Sequence, residues 1–245
     1  MAARLGHIFR HPVKGIGSEM LERASLSPDG ALEGDRAWAL LAADARDVDD
    51  WQPRRNFLQV AAGPALACIR ARTEANGICL THPDRENFFL RDCQDGGALG
   101  VWLGDLWPAE RAGPARLLRA PGHGMTDMPD PFVSVGNLAS LRALSQRAGR
   151  DLDMRRFRIN LWLDGLAPWE EFDWIDREIA LGPVRLRGVE PIGRCRATEA
   201  NPESGRRDVD TLRHLREGWD HTDFGIYMTV LQGGEVSVGS AVTPS

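Results

Sequence analysis

The chain has 245 residues, of which 42% are hydrophobic and 27% charged, enough for one large or two small domains with a true core. Its net charge of −5 argues against a nucleic-acid partner, which needs a positive balance to neutralise phosphates. The longest uncharged apolar runs, such as Gln59 to Cys68, fall far short of the roughly 20 residues of a membrane helix, so no membrane span is expected. The N-terminus has no apolar signal segment, which makes the cytoplasm the expected location.

In chain order, Leu5–Arg10 reads as an alternating strand, followed by the loop His11-Pro12-Val13-Lys14-Gly15-Ile16-Gly17. Further strands are predicted at Ala24–Leu26, Ala37–Leu41, Leu58–Ala61, Cys68–Ala71 and Gly77–Leu80, in the rhythm of a sheet closing on itself. The loop before Ala37 places an acidic and a basic residue, Asp35 and Arg36, side by side. From Asp105 to Pro131, five prolines exclude a long helix and mark a boundary or a functional loop. Within it, His123–Asp127 reads either as cover for a pocket or as a plain surface loop. Leu138, Leu141 and Leu144 predict an amphipathic helix capped by Asn137, and Asp210–Glu217 predicts a second capped helix. Strands are expected at Phe157–Leu163, Ile179–Leu181 and Val184–Val189, and Tyr227–Leu231 and Glu235–Val238 read as a closing hairpin. The fold class is therefore mostly β with inserted helices.

The motifs of serine hydrolases, P-loop enzymes, zinc proteases and dinucleotide-binding proteins are absent. Four cysteines without a Cys-x-x-Cys pair remove the zinc ribbon and the thioredoxin motif. Of 30 basic residues only Lys14 is lysine, and it sits in a glycine loop, where a compact point charge suits phosphate contact or covalent chemistry. Cys195 lies at a strand end between Arg194 and Arg196, whose guanidinium groups favour the thiolate that binds metals or attacks electrophiles. Arginine pairs at 54–55, 155–156 and 206–207 read as solvated or salt-bridged faces, or as the lining of a pocket for a phosphorylated ligand.

These segments, taken in order, resemble the MOSC family (molybdenum cofactor sulfurase C-terminal domain). His11-Pro12-Val13-Lys14-Gly15 and Gly34-Asp35-Arg36-Ala37-Trp38 match its opening. Arg156–Asn160, Arg194–Thr198 with Asn201–Gly205, Phe224–Tyr227 and Val236–Gly239 match the domain proper. The pattern is similar to that of the mitochondrial amidoxime reducing component and its bacterial relatives. The resemblance implies a MOSC-type β-barrel over residues 107–245, preceded by an N-terminal β-barrel region over residues 1–106. It implies a molybdenum cofactor with Cys195 as metal ligand and catalytic residue. Lys14, Gly15, Arg36, Arg55, Arg158, Asn160 and Arg194 become the cofactor-binding set.

The activity so implied is reduction of N-hydroxylated or N-oxide small molecules by oxygen-atom transfer, fed by a separate electron-donor protein of reductase, ferredoxin or cytochrome type. A molybdenum-cofactor carrier or sulfur relay, with Cys195 as the persulfide or cofactor-binding thiol, is the alternative. Pyridoxal phosphate is not assigned to Lys14, because the sulfurase partner domain is lacking. The chain departs from the family pattern at Gly15 and Gly136, where hydroxyl residues are expected, and at Ser240, where the family carries a carboxylate expected near the metal.

Overall fold

The computed structural model describes residues 3–46 and 50–244. In chain order the elements are β1 (Arg4–Arg10), β2 (Glu19–Leu21), β3 (Arg23–Ser27), β4 (Ala31–Leu32), β5 (Trp38–Ala42), β6 (Arg70–Glu74), β7 (Gly77–His82), β8 (Arg85–Leu90) and α1 (Gly96–Leu103). There follow β9 (Pro114–Arg119), β10 (Phe132–Asn137), α2 (Leu138–Ala148), β11 (Leu161–Asp164), β12 (Glu178–Leu181), β13 (Val184–Gly193), α3 (Thr211–Trp219), β14 (Asp223–Gln232), β15 (Gly234–Ser237) and β16 (Val242–Pro244). The protein is mostly β, as its patterning predicts, and no described helix is long and apolar enough to cross a membrane.

The main sheet runs β16-β12-β13-β14-β10-β11-β1-β2. Its ladder does not close, but bonds from Leu5 N to Ser240 O and from Val242 N to Ala3 O draw its two ends together. Alternation along the strands sends Ile8, Val133, Val135, Leu161, Leu186, Ile226 and Met228 into one core. A second core, around Leu40, Leu58, Ile69, Leu80, Leu99 and Leu117, fills the space between β5, β9, α1 and the β6-β7-β8 sheet. The N-terminal strands β1 and β2 complete the sheet built mainly from the distal half, and β15 returns to pair with β3. Neither half is finished without strands from the other.

Several expectations need correction. Residues 58–61 form a turn in which Gln59 O accepts from both Ala62 N and Gly63 N, so the apolar run there is buried loop rather than strand. The segment Phe157–Leu163 is strand only from Leu161, because Met154–Phe157 is wound into a short 3₁₀ turn capped by Asp153 and ended by Arg158. The expected final hairpin does not form: β14 pairs with β10 and β13, whereas β15 crosses to β3. Register places Val236 opposite Ala24, fully buried in the main core, and that burial outweighs the local turn signal.

Asn137 caps α2 by accepting from Ala139 N at 2.8 Å, and its amide donates to Glu171 Oε2 at 2.9 Å. Ser140 Oγ lies 2.9 Å from both Glu171 oxygens. Burial raises the Glu171 pKa, against these hydrogen bonds. This carboxylate ties the end of β10 and the start of α2 to the 3₁₀ turn at Glu170–Trp174. Glu171→Ala strands the buried Ser140 hydroxyl and an Asn137 N–H, and the expected loss is about 2–4 kcal/mol in urea unfolding. Glu171→Gln, which keeps an acceptor, recovers part of it; equal losses for the two variants would contradict this role.

Candidate functional site: a cation-lined cavity with one thiol

The loop after β1 turns sharply at Gly15, whose backbone has φ +72°. A Cβ there would lie 2.3 Å from Leu58 O, so the serine of the family pattern does not fit and glycine is required by the close approach. The turn directs Lys14, 5% exposed, into a cavity of about 910 Å³ including its open mouth. Arg36 enters from the segment before β5, with its own N–H donating to His11 O at 2.8 Å. The distal half contributes Arg156 and Arg158 from the 3₁₀ turn, Arg194 and Cys195 from the end of β13, and Asn160 and Ser134 from the walls. Of the predicted set, Lys14, Gly15, Arg36, Arg158, Asn160, Arg194 and Cys195 line this one cavity. Arg55 does not; its neighbour Arg54 does, and Arg55 faces an adjoining open chamber.

The arginines are fixed mostly by carbonyl oxygens. Arg158 Nη1 donates to Gly17 O at 2.8 Å and Nη2 to Val13 O at 3.2 Å, while Arg36 Nη2 donates to Arg158 O at 2.9 Å. Arg194 reaches Phe157 O at 2.9 Å and Phe224 O at 2.8 Å. Such bonds satisfy the donors and leave the charge unbalanced. Burial and the neighbouring Arg36 push the Arg158 pKa down to about 9, and burial pushes Arg194 down to about 10. Burial likewise lowers Lys14, opposed by the Asp127 carboxylate.

Six cationic side chains line the cavity, against one lining carboxylate, Asp127. Asp35 stands behind Arg36 and Asp208 behind Arg156. Lys14 Nζ donates to Met125 O at 2.9 Å, Thr126 O at 3.0 Å and Asp127 Oδ1 at 2.6 Å, so the His123–Asp127 segment does cover the pocket. Asn160 is engaged by the protein itself: its Oδ1 accepts from Ser134 Oγ at 2.7 Å and its Nδ2 donates to Phe9 O at 3.1 Å. It shapes the wall and has little left to offer a ligand.

Cys195 is a free, half-buried thiol that opens the 3₁₀ turn Arg196–Glu199, with its carbonyl accepting from Thr198 N at 3.1 Å. Arg196 turns away and pairs with Glu199 at 3.0 Å, so of the two flanking arginines only Arg194 faces the cavity. Two departures from the family pattern lie elsewhere. Gly136 is packed against Ile159 and Trp162 inside the fold. Ser240 bonds Ser237 and Leu5, six residues and about 20 Å of extended strand from His11. Ser240, the position of the expected carboxylate, does not line this cavity. Ser134 and Tyr227 line it and were not singled out as site residues by the sequence, whereas Arg54 and Asp127 fall in an arginine pair and a loop whose readings included a pocket; Tyr227, the only tyrosine in the chain, is discoverable by the same counting that isolates Lys14.

The fold and the site together define a β-rich protein in which a lone thiol and an excess of buried positive charge share one cavity. Residues 123–243 match the MOSC domain and residues 2–96 match the MOSC N-terminal beta barrel domain. The chain belongs to the MOSC family. It is 33% identical over 292 residues to mitochondrial amidoxime-reducing component 1 of Xenopus laevis, covering 97% of this chain and 81% of that protein. It is 27% identical over 206 residues to molybdenum cofactor sulfurase 2 of Culex quinquefasciatus, covering 67% of this chain and only 27% of that much longer protein. Among solved structures, the YUAD protein from Bacillus subtilis aligns with a TM-score of 0.48 at 10% identity, over 99% of this chain and 94% of that one.

Behind the cavity, His11 is fully buried and neither ring nitrogen has a hydrogen-bond partner among the described residues. Asp35 Oδ1 accepts from His11 N at 2.7 Å but lies 3.5 Å from Nδ1, beyond a good hydrogen bond. Burial, reinforced by Arg158 and Arg36 and opposed by Asp35, lowers the His11 pKa to about 3. The unfolded chain then binds a proton near pH 6.5 that the folded chain refuses, so stability falls as pH drops below that point. His11→Phe is expected to remove about 2 kcal/mol of the loss between pH 8 and about pH 5 in urea unfolding. An unchanged pH slope in the variant would show that His11 is not held neutral.

Proposed function

We propose that this protein is a molybdenum-dependent oxidoreductase that binds the molybdenum cofactor in the cation-lined cavity and reduces N-hydroxylated or N-oxide small molecules. The single observation that carries the reading is the union of one accessible thiol with six cations and a single lining carboxylate. The residues fit the group: a soft thiolate suits molybdenum beside dithiolene sulfurs, and fixed cations suit a phosphate-bearing pterin. The name of the Xenopus laevis relative, an amidoxime-reducing component, supports the substrate class.

In this reading Cys195 is the metal ligand and the catalytic residue. Lys14, the Gly15 amide, Arg36 and Arg158 receive the phosphate and pterin, with Arg54 rather than Arg55 at the mouth. Arg194 braces the Cys195 loop through the Phe157 and Phe224 carbonyls. The bound metal supplies two-electron oxygen-atom transfer chemistry. The chain's own work is to fix the cofactor, exclude bulk water with the His123–Asp127 segment, and leave one open side for substrate. Reduction of R–NH–OH to R–NH₂ consumes two electrons and two protons and releases water. A separate donor protein of reductase, ferredoxin or cytochrome type delivers the electrons.

The division into an N-terminal barrel region, 1–106, and a MOSC domain, 107–245, puts Lys14 and Arg36 on one side of the cavity and Arg158, Arg194 and Cys195 on the other. The carrier or sulfur-relay alternative, with Cys195 as persulfide or cofactor-binding thiol, loses the support it drew from the loss of a carboxylate at Ser240, because that residue does not line the cavity. Expression in a host that makes the cofactor tests the proposal. Near one molybdenum per chain by mass spectrometry is expected for the wild type, with loss in Cys195→Ser and an unchanged circular dichroism spectrum. Wild-type protein free of both molybdenum and pterin would refute it.

A further inference from the structure

A second, open chamber adjoins the cationic cavity and differs from it in character. Its walls include Trp51, Pro53, Met128 and Pro191, flat or apolar groups, beside the two arginines Arg54 and Arg55. The Trp51 indole is anchored by donation from Nε1 to Thr126 O at 3.1 Å, on the segment that also binds Lys14. The charged residues that line the chamber, Arg54, Arg55, Asp127 and Glu190, are two of each sign, so it carries no net charge and suits an uncharged guest. Inner cavity and outer chamber meet at Tyr227, Gly193, Arg54 and Asp127, which line both.

Tyr227 sits on β14 between the core residues Ile226 and Met228, so alternation turns its ring to the other side of the sheet, towards the cavity. Phe132 supports the ring at a centroid distance of 5.8 Å. Nearby polar groups are already committed: Ser134 and Asn160 bond each other, and Arg194 bonds carbonyls. The Tyr227 hydroxyl, in contrast, has no hydrogen-bond partner among the described residues. Burial, opposed by Arg194, holds its pKa above the ordinary phenol value, so at neutral pH it is an O–H donor.

Resting on the function proposed above, we infer that the outer chamber is the substrate subsite for a flat, uncharged aryl or heteroaryl group bearing an N–O oxygen, and that the Tyr227 hydroxyl donates a hydrogen bond to that oxygen. The apolar walls take the ring. The phenol stands where the chamber opens onto the cavity of Cys195, so it orients the oxygen inward. The bond is a donation without proton transfer. Tyr227 is thereby a substrate-contacting residue that discriminates oxygenated from deoxygenated ligands.

The test compares pyridine N-oxide with pyridine, which keeps the ring and lacks the oxygen. Binding of each is measured at neutral pH by calorimetry on molybdenum-loaded protein kept oxidised, so that no turnover intervenes. The preference of the wild type for the N-oxide over pyridine is expected to fall about three- to tenfold in Tyr227→Phe, the worth of one hydrogen bond. A preference unchanged by the substitution overturns the inference. A second readout needs no variant: in a chain without added tyrosines, the Raman doublet of the lone tyrosine reports the hydrogen-bond state of one phenol. It is expected to shift with pyridine N-oxide and not with pyridine, and equal spectra with both overturn the inference. Molybdenum content is measured in the same samples. Its absence from the wild type refutes the proposed function, whereas loaded protein that fails either readout refutes only the role of Tyr227 and its chamber.

Discussion

Positive charge is costly to bury, and this fold gathers a great deal of it in one place. The Asp35 carboxylate is the fixed counterweight. It accepts from the backbone of His11, pairs with Arg36, and is held well below the usual carboxylate range by that guanidinium despite its burial. Arg36 in turn reaches Arg158 O, and Arg158 reaches the carbonyls of Val13 and Gly17 on either side of the lysine turn. One acid thus organises two arginines and a loop. It cannot neutralise the whole set, because Lys14, Arg158 and Arg194 have only carbonyls and the half-exposed Asp127 as partners. The surplus charge is what suits the cavity to a phosphate-bearing ligand.

The sheet explains how residues so far apart in sequence come to share that cavity. β1 pairs with β11, so the loop leaving β1 is carried to the 3₁₀ turn that presents Arg156 and Arg158. β13 pairs with β14 and brings Cys195 to the same end of the sheet, where Phe224 and Phe157 stack at 4.3 Å beneath Arg194. The cavity is therefore not a groove between independent bodies but a product of strands exchanged between the two halves. An isolated half would lack either the lysine turn or the thiol.

Much of this was legible in the sequence, for physical reasons. Alternating apolar residues marked β1, β3, β5, β7, β12 and β14, and Asn137 with leucines at intervals of three marked α2. Composition singled out Lys14, and flanking arginines singled out Cys195. The misses have causes as well. Three glycines in eight residues hid α1, which owes its helix to packing on β9 rather than to propensity. Prolines hid β9 itself, and charged, outward-facing residues hid β8. The 3₁₀ turn at Arg54–Asn56 leaves both arginines on the outer chamber and brings only Arg54 to the inner cavity as well, a distinction that one-dimensional spacing does not carry. The His123–Asp127 loop was legible as pocket cover, but the ion pair of Asp127 was not, because its partner is a lysine 113 residues away.

The central claim is that the buried cationic excess collects a phosphate-bearing anion. The most direct measurement is the melting temperature of cofactor-free protein as inorganic phosphate replaces chloride at constant ionic strength, in the wild type and in Arg158→Gln. The account predicts a rise with phosphate in the wild type and a much smaller rise in the variant, because a bound anion stabilises the folded state by mass action. An identical response in both proteins, or none in the wild type, would contradict it.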